Sequence, residues 1–253
     1  AVVLAGGATH ARDLPIPGRE LAGIHQAMEY LPLANRVQEG DLLSSPIDVA
    51  GKNVVIIGGG DTGADCLGTA HRQGAKAIHQ FEIMPRPPDH RAESTPWPTW
   101  PLMFRTASAH EEGGERLFSV NTECFLDDGN GRVKALRAHE VEMVDGRFTK
   151  VEGTDFELEA DFVFLSMGFT GPESAWITAQ FGVELDPRSN VARDLDYATN
   201  VEGVFVAGDM GRGQSLIVWA IAEGRAAAAS VDRFLMGRTD LPSPVEPTAV
   251  GLR

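Results

Sequence analysis

Apolar and polar positions alternate in blocks along the first third of the chain, and these blocks predict strands and helices in turn. Residues 54–57 (Val-Val-Ile-Ile) form a continuous β-branched run, which is typical of a parallel strand buried on both faces. Apolar residues then recur at helical spacing over 64–70, and a second strand is predicted over 77–84. Residues 53–84 therefore form a predicted βαβ unit, which indicates an α/β fold.

The period of the pattern changes in the middle of the chain. Residues 117–126 and 131–158 alternate apolar and polar side chains, with turn signals at 128–131 and 145–146. This alternation predicts an antiparallel β-meander. A buried strand is expected next, at 162–165.

The last third of the chain predicts one more strand and a long helix. A short apolar run from Gly203 ends on Gly208-Asp209, and an alanine-rich helix is expected from about Ser215 to Phe234. The chain therefore contains a glycine junction between a predicted strand and a predicted helix at Gly208-Asp209.

Residues 85–101 contain six of the fifteen prolines and two of the four tryptophans, Trp97 and Trp100. Tryptophan side chains carry a large apolar surface that is costly to leave in solvent. We therefore expect an ordered excursion that packs on its own domain, with a partner-docking surface as the alternative.

The first predicted strand leads directly into the pattern Gly58-x-Gly60-x-x-Gly63, which opens the predicted helix. In a dinucleotide site the first glycine makes the tight turn, the second lets the backbone approach a pyrophosphate, and the third lets helix and strand pack closely. The helix N-terminus adds partial positive charge. Gly58, Gly60, Asp61, Thr62 and Gly63 are therefore candidate NAD(P)H-binding residues, and a tight structural turn is the alternative.

Two charged residues near the end of the second strand bear on the choice between NADH and NADPH. Glu82 lies where an acidic residue would accept hydrogen bonds from the ribose 2′-hydroxyl. Arg86 follows it and could pair with a 2′-phosphate instead. Glu82 is nearer the expected position, so the sequence slightly favours NADH.

The junction at Gly208-Asp209 is similar to the second flavin fingerprint of oxidoreductases that bind two dinucleotides. An aspartate there would hold a ribityl or ribose hydroxyl, and backbone donors at a helix N-terminus would stabilise a reduced flavin. The segments that end at Gly7 and Gly168 look like the two crossovers between the dinucleotide domains. The candidate FAD-binding residues are Ala5, Gly6, Gly7, Gly208, Asp209, Gln214, Ser215 and Leu216, and Gly168 is assigned to NAD(P)H.

Composition excludes several classes of protein. The 253 residues carry 22 Lys and Arg against 36 Asp and Glu, a formal net charge of −14, which argues against binding to nucleic acid or to an anionic membrane. No apolar run is long enough for a membrane span. Two cysteines cannot ligate an iron–sulfur cluster and indicate a reducing, cytoplasmic location. The histidines lack metal-ligand spacing, so no metal is expected.

The sequence resembles the small (β) subunits of glutamate synthase, within the glutathione-reductase-like class of flavin oxidoreductases. The resemblance covers nearly the whole chain. The stretches that carry it are 58–66 (Gly-Gly-Gly-Asp-Thr-Gly-Ala-Asp-Cys), 82–88 (Glu-Ile-Met-Pro-Arg-Pro-Pro), 96–101 (Pro-Trp-Pro-Thr-Trp-Pro), 110–112 (His-Glu-Glu), 167–174 (Met-Gly-Phe-Thr-Gly-Pro-Glu-Ser), 208–209, 213–216 and 223–225.

The resemblance implies a flavoprotein that takes a hydride from NAD(P)H onto FAD. Electrons would then pass through iron–sulfur clusters to the large (α) subunit, which makes glutamate from glutamine and 2-oxoglutarate. No side chain need act as acid or base in hydride transfer, so no catalytic residue is assigned. The alternatives are a related NAD(P)H:ferredoxin or dihydropyrimidine-dehydrogenase-like module, and a non-catalytic dinucleotide-binding module.

Members of this family begin with a cysteine-rich region associated with two [4Fe–4S] clusters, followed by a first flavin glycine motif. The sequence opens in mid-strand at Ala1 without either of them. We therefore expect a piece of a longer subunit, in which the clusters belong to the preceding region and FAD is held weakly or not at all by this piece alone.

The expected architecture is a Rossmann-like NAD(P)-binding domain, with a parallel sheet and an antiparallel meander, inserted into the remnant of an FAD-binding domain. The expected boundaries place residues 1–48 and 169–253 in the FAD-binding remnant and residues 49–168 in the NAD(P)H-binding domain.

Overall fold

The computed structural model describes residues 1–249. The strands are, in chain order, β1 (Val2–Leu4), β2 (His10–Ala11), β3 (Ile24–Gln26), β4 (Asn53–Ile57), β5 (Ala77–Glu82), β6 (Glu115–Phe118), β7 (Val120–Asp127), β8 (Val133–Val144), β9 (Arg147–Lys150), β10 (Phe156–Glu159), β11 (Phe162–Leu165), β12 (Phe169–Gly171) and β13 (Val204–Val206). The helices are α1 (Ala27–Gln38), α2 (Asp61–Arg72), α3 (Ser108–Glu111), α4 (Ser174–Phe181), α5 (Asp209–Arg212) and α6 (Ile217–Met236).

These elements form two compact units. The central unit is Asp13–Gly168, and the terminal unit combines Ala1–Arg12 with the described residues from Phe169 onward. The chain thus enters the central unit once and leaves it once.

A five-stranded parallel sheet, in the order β3-β11-β4-β5-β6, is the centre of the central unit. Successive side chains of a strand point to opposite faces, so each strand contributes to two cores. On one face, Val54 and Ile56 of β4 pack with Tyr30 of α1 and Leu67 of α2. The predicted βαβ unit is confirmed, since β4, α2 and β5 follow one another as expected.

The other face of the parallel sheet packs against an antiparallel sheet. Val55 of β4 and Val163 of β11 meet Phe125 of β7 and Leu136 of β8 in a second core. The antiparallel sheet has the order β10-β8-β7, with β9 paired to β8, which confirms the predicted meander. Its start differs, because the chain turns at Ser119 (φ 57°) and residues before that turn belong to parallel strand β6.

The terminal unit contains two small sheets and three helices. β1 pairs with β13 in parallel, and β2 pairs with β12 in antiparallel orientation. Leu4, Val206, Ile177 and Met210 share one core. The long C-terminal helix is confirmed as α6, although the one-turn helix α5 that precedes it was not predicted.

The boundary expected at residue 48 is wrong. β3 pairs with β11, with Ile24 opposite Val163, so it is an edge strand of the parallel sheet of the central unit. The Tyr30 ring of α1 stacks on Phe164, with ring centroids 4.0 Å apart. Residues 13–48 therefore belong to the central unit and not to the terminal one, and the sequence gives no local signal of this because their partners lie far along the chain.

The Pro/Trp segment at residues 85–101 is irregular, and its two indoles are largely exposed rather than packed on their own domain as expected, although Arg105 stacks on Trp100. Trp97 is 83% exposed and Trp100 is 60% exposed. Arg91 Nη1 instead organises the segment by donating to the carbonyl oxygens of Thr95 (2.7 Å) and Thr99 (3.0 Å). The backbone of the segment is thus tied together while its aromatic side chains face outward.

Over residues 1–249, no helix is both long enough and apolar enough to cross a bilayer.

Candidate functional site

Gly58 makes a turn at the carboxyl end of β4 that only glycine fits. Its φ is +130°, and a Cβ atom there would lie 2.2 Å from the carbonyl oxygen of Ser166. Its own N–H donates to the Phe81 carbonyl at 2.8 Å. The start of the loop is therefore held tightly between β11 and β5.

The other two motif glycines differ in what surrounds them. A Cβ atom at Gly63 would lie 2.3 Å from the Gly58 carbonyl oxygen, so this glycine lets α2 pack closely on the turn. A Cβ atom at Gly60 would meet nothing within 4 Å. Gly60 is the N-cap of α2, and no side chain of the described residues caps it. The first-turn N–H groups, which include those of Asp61 and Thr62, thus have no side-chain cap and suit an anion.

Glu82, the last residue of β5, lies against this glycine loop. Its Oε1 accepts a hydrogen bond from the Met84 N–H at 3.0 Å. Its Oε2 is so close to Gly59 that a Cβ atom there would lie 1.9 Å away. The structure therefore brings Glu82 to the glycine loop.

Two arginines lie beyond Glu82 and share one aromatic ring. The guanidinium carbons of Arg86 and Arg116 lie 4.2 and 4.8 Å from the centroid of Phe104. Burial lowers the pKa of Arg116, while the charge of Glu82 acts in the opposite direction. Arg86 also pairs with Asp89 at 2.6 Å. Arg116 comes from β6, and the sequence pattern did not single it out.

The side chains of Gln80 and His110 form a hydrogen-bonded pair that holds the glycine loop at Gly58. Gln80, 1% exposed, donates from Nε2 to the Gly58 carbonyl at 2.8 Å, and its Oε1 lies 2.8 Å from His110 Nε2. His110 Nδ1 accepts from the Ala107 N–H at 3.1 Å, so the ring proton is on Nε2 and points to Gln80. Burial and the charge of Arg116 lower the pKa of His110, which keeps the ring neutral. The His-Glu-Glu motif thus has a structural role that the sequence did not reveal.

Cys66 lies in the middle of α2 and is buried among core residues. Burial raises the pKa of its thiol to about 12. A thiol this weakly acidic does not provide the thiolate that redox chemistry requires. Cys66 is therefore a core residue.

The terminal unit brings its two glycine segments together at one sheet edge. Because β1 and β13 are parallel, their carboxyl ends meet, and the Ala207 N–H donates to the Leu4 carbonyl at 3.1 Å. A Cβ atom at Gly6 would lie 2.6 Å from Met210 Cε. Residues 5–7 and 207–210, which were predicted separately, are thus neighbours.

Asp209 lies at the start of α5 and is oriented by a nearby hydroxyl. Ser215 Oγ donates to Asp209 Oδ1 at 2.6 Å, and Gly208 before it has φ +71°. Leu216 is the N-cap of α6, and among the described residues no side chain caps that helix end. Gln214, Ser215 and Leu216 therefore lead into an open helix N-terminus.

Gly168 ends the central unit with φ +83°. It follows Ser166 by two residues, and Ser166 donates from Oγ to the Ile57 carbonyl at 3.1 Å. The close approach of Ser166 to Gly58 links this segment to the glycine loop.

One cluster of ligand-type side chains lies on the antiparallel sheet, where the sequence predicted no metal. Glu123, His139 and Asp155 bring ligand atoms within 4.8 Å of one another. The ammonium of Lys150 contacts both carboxylates. The Lys150 ammonium therefore already supplies positive charge to these two carboxylates.

The sequence is similar to those of curated glutamate synthase small chains. It is 71% identical to "Glutamate synthase [NADPH] small chain" of Mycobacterium tuberculosis (strain ATCC 25618 / H37Rv), over 100% of this chain and 53% of that protein. It is 44% identical to the protein of the same name from Bacillus subtilis (strain 168), over 96% of this chain and 52% of that protein. The chain thus spans about half the length of these curated relatives.

The fold and a family match agree with this similarity. The structure superposes on thioredoxin reductase from T. acidophilum with a TM-score of 0.64 and 22% sequence identity, over 93% of this chain and 65% of that one. At this identity the likeness shows the fold alone. Residues 1–96 and 129–224 match a family described as pyridine nucleotide-disulphide oxidoreductase. The chain therefore belongs to the pyridine nucleotide-disulphide oxidoreductase family.

Proposed function

We propose that this chain is the part of a glutamate synthase small subunit that oxidises NAD(P)H and starts electron transfer to the large subunit. The observation that carries the proposal is 71% identity, over the whole chain, to a protein named as a glutamate synthase small chain. Strand-to-glycine junctions occur in both units, at Gly58 in the central unit and at Gly208 in the terminal unit, which fits the binding of two dinucleotides.

The glycine loop of the central unit is the proposed NAD(P)H site. The N–H groups at the uncapped start of α2 would hold the pyrophosphate, and Gly60 leaves room for it. Glu82 would accept hydrogen bonds from the adenosine ribose. Gly168 would line the same sheet edge.

The terminal unit is the proposed FAD site, and its residues fit that role in part. FAD, when bound, accepts a hydride from NAD(P)H and releases electrons singly. Asp209 Oδ1 is engaged by Ser215, which leaves the other carboxylate oxygen for a ribityl or ribose hydroxyl. The open N-terminus of α6 provides partial positive charge for the flavin ring. At the end of β1, the backbone of Ala5, Gly6 and Gly7 would approach the cofactor closely.

The remaining proposals concern the iron–sulfur clusters, the electron acceptor and the location of the protein. Iron–sulfur clusters would be bound by the cysteine-rich region of the complete subunit, since this chain has two cysteines, Cys66 and Cys124. The large subunit would be the electron acceptor, and the cytoplasm the location.

NADPH is the proposed nucleotide. The sequence alone set Glu82, which favours NADH, against Arg86, which favours NADPH, and the structure adds Arg116 as a second positive charge near them. Glu82 alone favours NADH, since its charge would repel a 2′-phosphate. Arg86 and Arg116 stack on Phe104 just beyond it, and their two guanidinium groups would attract a 2′-phosphate, for which Arg86 would exchange its pairing with Asp89.

Replacing Arg86 with alanine should raise the Kd for NADPH about tenfold or more and change the Kd for NADH about twofold or less. A hydrogen bond to a charged group contributes roughly 1.5–3 kcal/mol, and NADH lacks the 2′-phosphate. Fluorescence titration with both nucleotides measures the effect. Arg105→Ala is the matched control, because Arg105 stacks on the exposed Trp100 and should leave both constants unchanged. Equal losses for the two nucleotides, or tighter NADH binding by the unaltered protein, would contradict the proposal.

The proposed function is tested with the complete gene product and its large subunit. Anaerobic addition of NADPH should bleach flavin absorbance near 450 nm, and the assembled enzyme should form glutamate from glutamine and 2-oxoglutarate. Gly60→Val should abolish the bleaching. Bleaching without glutamate formation would favour a related ferredoxin-type electron-transfer module. NADPH binding without bleaching would favour a non-catalytic dinucleotide-binding module.

A further inference from the structure

Glu223 of α6 is a fully buried carboxylate with four donors around it. It is 0% exposed. Arg193 donates to both oxygens, at 2.7 and 2.8 Å, and Arg212 Nε donates to Oε1 at 2.6 Å. The Gly208 N–H donates to Oε2 at 2.9 Å. Both oxygens of this buried charge are therefore fully satisfied.

The charges of this cluster do not cancel. Two guanidinium groups face one carboxylate, and both arginine side chains are largely buried. Burial alone would raise the pKa of Glu223, but the hydrogen bonds from Arg193 and Arg212 lower it, so the carboxylate stays ionised. Burial of an ionised carboxylate is offset only when its hydrogen-bond partners keep good geometry.

The contacts of Glu223 reach both ends of α5. Gly208 precedes this one-turn helix, and Arg212 is its last residue. A helix of four residues is not stable by its own hydrogen bonds, so its geometry depends on what holds its ends. Glu223 bonds to the backbone before α5 and to the side chain that closes it. It thereby fixes the helix on which Asp209 lies.

The neighbours of Arg212 reinforce this arrangement. Its guanidinium lies 4.3 Å from the centroid of Trp219, one turn before Glu223 on α6. Arg193 also donates to the Val206 carbonyl at 3.3 Å, at the end of β13. The cluster therefore joins the end of β13, both ends of α5 and the first two turns of α6.

We infer that Glu223 is a positioning residue of the flavin site, which holds α5 through Gly208 and Arg212 so that Asp209 presents its carboxylate to the flavin. The inference rests on the proposed function, since it takes the junction at Gly208-Asp209 to be the FAD site. Glu223 itself is buried below the loop and would not touch the cofactor.

Glu223→Gln in the complete gene product tests the inference. The amide keeps the shape but turns one acceptor into a donor that faces a guanidinium or an N–H. We expect FAD to bind about tenfold or more weakly, seen as a lower ratio of absorbance near 450 nm to absorbance at 280 nm after gel filtration. NADPH affinity, which depends on the central unit, should stay unchanged.

A core variant of the same unit, with its melting temperature measured beside that of Glu223→Gln, separates positioning from general stability. Ile177→Val trims the core of the same unit without touching the cluster, and it should keep its FAD. If Glu223→Gln does not fold, two charge-conserving variants decide. Arg212→Lys disrupts the hydrogen bond between Glu223 and the last residue of α5 and should lower FAD content, whereas Arg193→Lys leaves both contacts of Glu223 with α5 and should lower it less.

Each outcome bears on the inference. Full FAD content in Glu223→Gln would overturn it and leave the proposed function standing. Equal FAD losses in Arg212→Lys, Arg193→Lys and Ile177→Val would overturn it as well, since they would track stability alone. A complete gene product that never binds FAD would overturn both the inference and the proposed function.

Discussion

Replacing Gly58 with alanine should abolish NADPH binding and lower the free energy of unfolding by about 3 kcal/mol or more. The backbone at Gly58 has φ +130°, and the new Cβ atom would lie 2.2 Å from the Ser166 carbonyl oxygen. That oxygen belongs to the backbone after β11, so it cannot move aside as a flexible side chain would. Denaturant unfolding and nucleotide titration measure the two effects.

Gly60→Val is the matched control within the same loop. Its side chain would enter open space, so the stability of the fold should change little, although valine is a poor N-cap. NADPH binding should still be lost, because the side chain would fill the place of the pyrophosphate. Unchanged affinity in Gly60→Val would show that the nucleotide binds elsewhere. Normal stability in Gly58→Ala would mean that the turn is looser than its geometry indicates.

Replacing Asp209 with alanine in the complete gene product should weaken FAD binding about ten- to a hundredfold. A carboxylate hydrogen bond contributes roughly 1.5–3 kcal/mol, and the variant would also release Ser215, which now donates to Asp209 at 2.6 Å. FAD content after gel filtration and equilibrium titration of the apoprotein measure the loss.

Asp196→Ala is the matched control for that experiment. Asp196 lies in the same unit and pairs with Arg233 in an exposed contact at 2.7 Å, a type that contributes little to stability. Its FAD content should equal that of the unaltered protein. Equal FAD retention by Asp209→Ala and Asp196→Ala would exclude the Gly208-Asp209 junction as a flavin site.

The sequence was informative where a structure depends on neighbours along the chain. The glycine loop, α2 and the strand ending at Glu82 lie within 30 residues of one another, and the turn chemistry of Gly58 and Gly63 is the same in any protein that uses it. The meander could be predicted for a similar reason, because its strands follow one another with turns between them.

The sequence was uninformative where a structure depends on distant partners. β3 has three residues, and its place in the sheet is set by β11, near the other end of the central unit. Arg116 lies near Glu82 only because β5 and β6 are parallel neighbours. Gln80 has the pattern of an ordinary strand residue, although its side chain holds the Gly58 carbonyl. The alternation of apolar and polar residues along a single segment does not predict such contacts.

The position of β11 has a consequence for synthesis of the protein on the ribosome. β11 lies between β3 and β4 in the sheet, yet it is the last strand of the central unit to be made. Until residues 162–165 emerge, β3 has no strand partner and β4 has one open edge, which is prone to pairing with other chains. We expect this unit to fold late and cooperatively, and its nascent chain to need protection while the sheet is incomplete.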